Sequence, residues 1–429
     1  MGNGTRAGTA SEATATFPYW RRNLWAACAA QFILMAAIQL IMPFLALFIH
    51  QELGIQDIRH VELWAGAIQS SNMLMAALMS PVWGALADRY GRKVMVLRAS
   101  AAVGVFSVLA GLVRNVHELL AVRLLMGVFS GFGATAVALV GTGTPPQYLG
   151  YALGILSTGQ LAGIVFGPLL GGALAPVVGY RATFLITGLL SLGACLLVAI
   201  LVRENFVPVP RAQAEPLRAQ LRGVAAVPGL LSVFGVLLMA QVANSSAGPQ
   251  LSLFVLELTG DPDHAASLAG VAFAAAGLGS ALTAPLLGRR ADSLGCKPTL
   301  TLALAGAALL VLPQALVHKV WQLVILRLGL GVFVGGILPT ANALVGHLTP
   351  RERRATAYGL TSSATFMGNF LGPMLGGLVV ASFGLRAIFL FTGALLLSNL
   401  LWVSLTVRDP ARPMSPAKRS AQAEPEQLS

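Results

Sequence analysis

The sequence predicts an all-α membrane protein, with twelve transmembrane helices arranged as two copies of a six-helix unit. Three observations carry this. The 429 residues are 56% hydrophobic and only 10% charged, and their apolar residues lie in long runs, which is membrane-protein composition. Twelve such runs occur, each roughly 20 residues or longer, enough for a helix to cross a hydrocarbon core of about 30 Å. A set of Gly, Pro, Asp, Lys and Arg positions then recurs 204 to 205 residues downstream.

The runs lie at about 24–49, 63–86, 94–113, 117–143, 150–175 and 180–202, then 229–256, 266–288, 298–317, 320–347, 355–381 and 385–407. Backbone polar groups in lipid must be satisfied internally, and nothing here has the ten-residue alternation of a barrel strand, so the spans are expected to be helices. This divides the chain into a polar tail (1–18), a first bundle (19–202), a linker (203–228), a second bundle (229–407) and a second tail (408–429). The linker carries four Arg, two Glu and four Pro. Both tails have a disordered composition.

The net charge of +12 would suit nucleic acid, but the placement of the basic residues points to topology. An even number of spans puts both termini on one side. If that side is the cytoplasm, its segments hold 21 of the 28 Lys and Arg. The external loops then hold Arg59, Arg114, Arg181, Lys319 and Arg386, and Arg123 and Arg327 lie within helices. That is the positive-inside distribution. The acidic residues divide almost evenly, so no anionic partner is implied. Cys28, Cys195 and Cys296 form neither a disulfide framework nor a metal-type spacing. No metal or cofactor is expected.

The repeat is read most clearly by setting "SPVWGALADRYGRKVM" from Ser80 beside "APLLGRRADSLGCKPT" from Ala284. Pro81, Gly84, Asp88, Gly91 and Lys93 recur as Pro285, Gly288, Asp292, Gly295 and Lys297, and Arg123 and Gly127 as Arg327 and Gly331. "GPLLGG" at 167–172 returns as "GPMLGG" at 372–377, followed by Gly179, Arg181 and Phe184 as Gly384, Arg386 and Phe389. A duplicated helical unit argues for transport by movement of two halves about a shared site.

Three motifs carry candidate chemistry. In "GALADRYGRK" the glycines permit a tight reversal between the second and third spans, while Arg89, Arg92 and Lys93 hold it in the headgroup layer. Asp88 is a carboxylate at a helix end, able to accept hydrogen bonds from free amides at a neighbouring helix start and so latch one conformation. In "GILSTGQLAGIVFGPLLGG", Gly154, Gly163, Gly167, Gly171 and Gly172 allow close backbone approach and Pro168 bends the helix. A second copy runs through Gly359, Gly368, Gly372, Pro373, Gly376 and Gly377. Arg123 is a cation in a membrane helix, costing roughly 2.5–3.5 kcal/mol at its centre on insertion scales, and should face protein or water.

These motifs, and the sequence across essentially all twelve spans, resemble the drug:proton antiporters of the major facilitator superfamily, with MdtG-like bacterial multidrug exporters the nearest likeness. The resemblance implies two six-helix bundles around a central site, rocking between inward- and outward-open states. It implies that Asp88 and its basic neighbours stabilise the state closed to the cytoplasm, Asp88 meeting the amides near Ala355 to Tyr358 and Asp292 those near Leu149 to Ala152. It associates Arg123 with proton transfer, although Met126 stands where that signature has Gln.

A pocket for a drug-like solute should be largely apolar with a few polar groups. On the spans that line the cavity in this family, Gln39, Asn72, Gln160, Gln241, Asn244, Asn342 and Asn369 are the polar residues to test, beside Met35, Phe44 and Phe48. Pro43 and Pro249 mark expected bends. No span carries a carboxylate near its middle; Glu52, Glu62, Glu118 and Glu257 read as solvated charges at outer helix ends. The expected function is export of apolar or amphipathic compounds in exchange for protons, from the bacterial inner membrane, by a monomer with cytoplasmic termini. A transporter of the same fold for one defined metabolite is the rival. An enzyme would need a convergent catalytic set, which the sequence lacks, and a receptor would not need the duplicated gate.

Overall fold

The apolar runs fold into helices whose ends fall at glycine, proline or polar clusters. The computed structural model describes residues 19–204, 227, 229–349 and 354–407. In the first repeat the helices are α1 (Trp20–Leu40), α2 (Leu45–Gln51), α3 (Ile58–Tyr90), α4 (Arg92–Leu112), α5 (Val116–Val128), α6 (Phe132–Gly143), α7 (Leu149–Val178) and α8 (Tyr180–Leu201). In the second they are α9 (Leu230–Ser246), α10 (Leu251–Thr259), α11 (Pro262–Leu294), α12 (Cys296–Val311), α13 (Val320–Val334), α14 (Ile337–Leu348), α15 (Arg354–Phe383) and α16 (Ala387–Thr406). All regular structure among the described residues is helical.

Ten stretches among the described residues are long and apolar enough to cross a membrane, against twelve expected. The two that fall short have different causes. α3 is long enough, but Gln69, Ser70, Ser71 and Asn72 lower the hydropathy of its middle. The expected span 117–143 is interrupted between α5 and α6, where Ser130 and Gly131 leave the helix and Gly131 has φ +116°.

Interruptions recur at corresponding places. α1 gives way to α2 through residues 41–44, around Pro43, and α9 to α10 through 247–250, around Pro249. The expected bends are therefore present, and follow from proline's missing amide. Gly335 and Gly336 separate α13 from α14 as Gly131 separates α5 from α6. The sequence reading treated these last two as continuous spans, because a short glycine-rich gap does not end an apolar run.

Single glycines make the tightest reversals. Gly91 (φ +94°, ψ 156°) joins α3 to α4, and Gly295 (φ +105°, ψ 156°) joins α11 to α12. A side chain is strongly disfavoured in that region.

Packing within one repeat reproduces packing within the other. α1 lies on α7 and α8 as α9 lies on α15 and α16; α4 lies on α8 as α12 lies on α16; α3 lies on α5 as α11 lies on α13. Between repeats the contacts exchange partners, α3 with α15 and α11 with α7. One core cluster lies wholly within 230–407 and another wholly within 20–202. A third gathers Phe44, Phe48, Ala175 and Phe184 with Leu253, Ala265 and Ala266, so it joins the repeats at one end of the molecule.

That end carries two matching clamps. Arg181 pairs with Glu52 at 3.0 Å and donates to the Gly111 and Val113 carbonyls at 3.2 and 2.7 Å. Arg386 pairs with Glu257 at 3.3 Å and donates to the Ala315 and Val317 carbonyls at 2.9 and 3.2 Å. Glu52 and Glu257, expected as solvated charges, are exposed and also take part in these clamps. At the opposite, Gly91 end, Lys93 Nζ donates to the Ala199 carbonyl and Lys297 Nζ to the Ser404 carbonyl, each at 2.8 Å.

Candidate functional site

The two glycine–proline helices each show two faces. On α7, Cβ atoms added at Gly163 and Gly167 would meet α1 at Met35 Cβ (2.6 Å) and Ala36 O (2.6 Å). From the adjacent face, one added at Gly172 would meet α11 at Ala266 O (2.7 Å). α15 repeats the pattern: Gly368 and Gly372 abut Gln241 and Val242 of α9, while a Cβ at Gly377 would meet Glu62 O of α3 at 2.7 Å. Such proximity demands residues without side chains, so each helix serves its own repeat with one glycine row and the other repeat with the next.

The opposing helices contribute glycines too. Gly66 on α3 lies against the Pro373 carbonyl, and Gly270 on α11 against the Pro168 carbonyl. Sequence reasoning missed both. Their one signal was recurrence at 204 residues, which is weak for a lone glycine in a helix. Hydroxyls bridge each seam: Ser70 Oγ donates to Phe370 O at 2.6 Å and Ser267 Oγ to Gly172 O at 2.7 Å.

These close approaches lie toward the Glu52 end. At the Gly91 end, Gly150 and Gly154 of α7 and Gly288 of α11 have no atom within 4 Å of an added Cβ. Gly154, expected in the packing row, thus faces open space. The repeats are closed together at the Glu52 end.

The corner expected to gate this opening is partly described. The side chains of Asp88 and Asp292 and residues 350–353 lie outside the described residues, as do the side chains of Arg354 to Thr356, Tyr358 and Gly359. Arg89 is exposed, its guanidinium over the Tyr90 ring at 5.3 Å. The first two amides of α4, those of Arg92 and Lys93, donate to Glu204 Oε1 and Oε2 at 3.0 and 2.8 Å. Arg203, also from the expected linker, exchanges two hydrogen bonds with the Asn23 side chain. Arg98 stacks on Trp83 at 3.5 Å and donates to Ser130 O at 2.9 Å, at the break between α5 and α6.

The expected cavity residues separate into groups. Gln241 Nε2 donates to Asn369 Oδ1 at 2.7 Å, joining α9 to α15 within one repeat. Asn72 Nδ2 donates to the Arg123 carbonyl at 3.3 Å, joining α3 to α5. Met35, Gln39 and Asn342 are half-buried; Gln160 and Asn244 are exposed. Phe44 and Phe48 instead lie in the closed core with Phe184, at ring distances of 5.5 and 5.0 Å. Their position follows from the bend at Pro43, which turns α2 into the bundle.

Arg123 and Arg327 are 6% and 7% exposed, and each has Nε and one terminal nitrogen without a partner. Arg327 sits over the Phe389 ring at 5.9 Å, a cation–π contact replacing an acidic neighbour. Glu62 departs most from expectation. It is fully buried, its Oε1 lacks a hydrogen-bond partner, and it lies in the α3–α15 seam beside Gln250. Its position near a helix start suggested solvent, but the packing of α15 and the α9–α10 turn over it removes that solvent.

Comparison with known proteins agrees with this architecture. A family model described as Major Facilitator Superfamily matches residues 27–263 and 233–428. The chain is 38% identical over 389 residues to a Multidrug resistance protein MdtG of Dickeya zeae (strain Ech586), covering 91% of this chain and 95% of that one. It is 36% identical over 394 residues to a protein of the same description from Salmonella typhimurium, covering 91% and 96%. Its fold is similar to a bacterial homologue of the human lysosomal transporter Spinster, with TM-score 0.76, 18% identity and coverage of 91% and 97%. It is also similar to the nucleoside transporter NupG, with TM-score 0.73, 14% identity and coverage of 90% and 98%. Duplicated helices, glycine seams between the repeats and these matches together establish that the chain belongs to the Major Facilitator Superfamily.

Proposed function

We propose that this protein exports apolar or amphipathic drug-like compounds from the bacterial cytoplasm in exchange for protons. The observation that carries the reading is 38% identity, over 91% of the chain, with a multidrug resistance protein. Paired backbone seams that close the repeats together at the Glu52 end support alternating access by movement of the two repeats.

In this reading the interrupted pairs α1–α2, α5–α6, α9–α10 and α13–α14 each make one span, giving twelve. These form two six-helix bundles, 19–202 and 229–407, joined by the cytosolic linker 203–228. The basic residues favour an inner-membrane protein with cytoplasmic termini, which makes the Gly91 end cytoplasmic, the Glu52 end external and the present state inward-open. Asp88 with Arg89, Arg92 and Lys93, echoed by Asp292, latches the cytoplasmic end when it closes. Substrate contacts Met35, Gln39, Gln160, Asn244 and Asn342 in the opening, and the Gln241–Asn369 and Asn72 bonds set its walls. Each proton moving inward contributes about 2.3 kcal/mol per 100 mV.

The test is proton movement in proteoliposomes challenged with a panel of lipophilic cations and neutral amphiphiles. Several unrelated compounds should each collapse an imposed pH gradient. Response to a single polar metabolite, or to none, would overturn the drug-export reading.

A further inference from the structure

The two seams share their backbone approaches but differ in side chains, and one of the differences is titratable. Gly172 of α7 rests against Ala266 of α11, and Gly377 of α15 rests against Glu62 of α3. Glu62 and Ala266 are equivalent by the 204-residue repeat, so one seam holds a titratable side chain where its counterpart holds a methyl group. The partner is equally one-sided. Gln250 is the last residue of the α9–α10 turn, whereas Phe44 holds that place in the α1–α2 turn.

Pro249 and the turn around it interrupt the helix, and the Gln250 side chain takes up the groups this leaves. Its NH2 donates to Ser246 O at 2.8 Å and its carbonyl oxygen accepts from the Gly377 amide at 3.1 Å. The Glu62 carboxyl meets the Gln250 side chain through one hydrogen bond, while its Oε1 is buried with no partner.

Among the described residues no cation pairs with it. Around Glu62, His50 Nδ1 donates to Ile55 O at 2.9 Å, Glu52 pairs with Arg181, and Asp57 pairs with His60 at 3.0 Å. On α5, His117 packs on Trp64 at 4.9 Å and Glu118 bonds the start of its own helix. Arg123 lies beside Asn72, about 15 Å along α3 from Glu62 at 1.5 Å per residue. Beyond α15, Arg386 is held by Glu257. A buried carboxylate with no cation beside it costs several kcal/mol, so the closed seam accommodates the neutral acid.

We propose that Glu62 is the proton-binding residue of the external gate: closing the seam between α3 and α15 takes up a proton on its carboxyl group, and opening the seam exposes Glu62 to the external solution, where that proton is released. This inference rests on the exporter reading and adds a residue to it. External acid then favours the inward-open state; because the proton is taken from and returned to the external solution, Glu62 sets the gate's response to external pH and carries no net proton across the membrane.

The experiment uses the full chain with Cys28, Cys195 and Cys296 replaced by serine, and spin labels on Arg59→Cys and Phe383→Cys, both exposed beside the seam. The distance distribution is read in proteoliposomes from pH 5 to pH 9. The unmodified seam should open as pH rises, with the open-to-closed ratio changing by up to about tenfold per pH unit for one proton. Glu62→Gln, whose amide can donate as the acid does, should stay closed at every pH, and Glu62→Asp should retain a pH dependence. Equal pH dependence in Glu62→Gln, or none in the parent, overturns the proposal. Drug-driven proton flux by the parent is measured in the same vesicles: flux with an unaltered Glu62→Gln gate removes only the Glu62 role, whereas absence of flux removes the exporter reading.

Discussion

Gly377 and Glu62 meet backbone to backbone across the seam between the repeats, where a Cβ on Gly377 would stand 2.7 Å from the Glu62 carbonyl oxygen. The same approach, by Gly172 on Ala266, closes the other seam. A transporter that rocks must break and remake such contacts, so they should be dry, close and made largely of backbone.

Enlarging a seam glycine should therefore act on the conformational equilibrium. Gly66→Leu should cost about 1–3 kcal/mol as overpacking against the Pro373 carbonyl, weakening external closure and lowering transport. Gly154→Leu, facing open space here, should leave this state undisturbed. Labels across the external end, read beside drug-driven proton flux, distinguish the two. Equal effects of both variants would remove the seam role.

Buried arginines without acidic partners should be dispensable for stability. Arg327→Met should melt in detergent at the same temperature as the parent or higher, because a desolvated charge is exchanged for apolar packing. Arg123→Met should also remain folded while losing proton flux. Unfolding of both variants would show instead that the guanidinium groups are structural.

The Arg181 clamp should prove worth more than its ion pair. Both partners are more than a third exposed, at 38% and 36%, so the pair itself contributes roughly 0–1 kcal/mol, less at high salt. Arg181→Ala also frees the Gly111 and Val113 carbonyls. It should lower stability more than Glu52→Ala does, and a double-mutant cycle measures the remainder.

Gly91→Ala and Gly295→Ala should each destabilise by about 1–3 kcal/mol, since both positions have positive φ and extended ψ. Thermal melting of the purified protein provides the measurement. No loss at either site would mean that the reversal relaxes.

Glu204→Ala should loosen the start of α4 by about 0.5–2 kcal/mol, the usual worth of a side-chain cap there. Faster amide exchange confined to Arg92 and Lys93 would locate the effect. Unchanged exchange would rule the cap out.

Much of this was legible in the chain itself. Apolar runs, the 204-residue recurrence and the spacing of Gly163, Gly167, Gly171 and Gly172 fix helices, duplication and a close-packing face, because helix formation in lipid and four-residue periodicity are local properties. Proline likewise announced the breaks at 43 and 249. The tertiary structure alone decided what lies across the seam: that Gly154 meets nothing, that Phe44 closes the core instead of lining the opening, and that Glu62 is dry. Burial depends on which distant segment covers a residue, and nothing adjacent in sequence to Glu62 foretells that α15 and Gln250 do so.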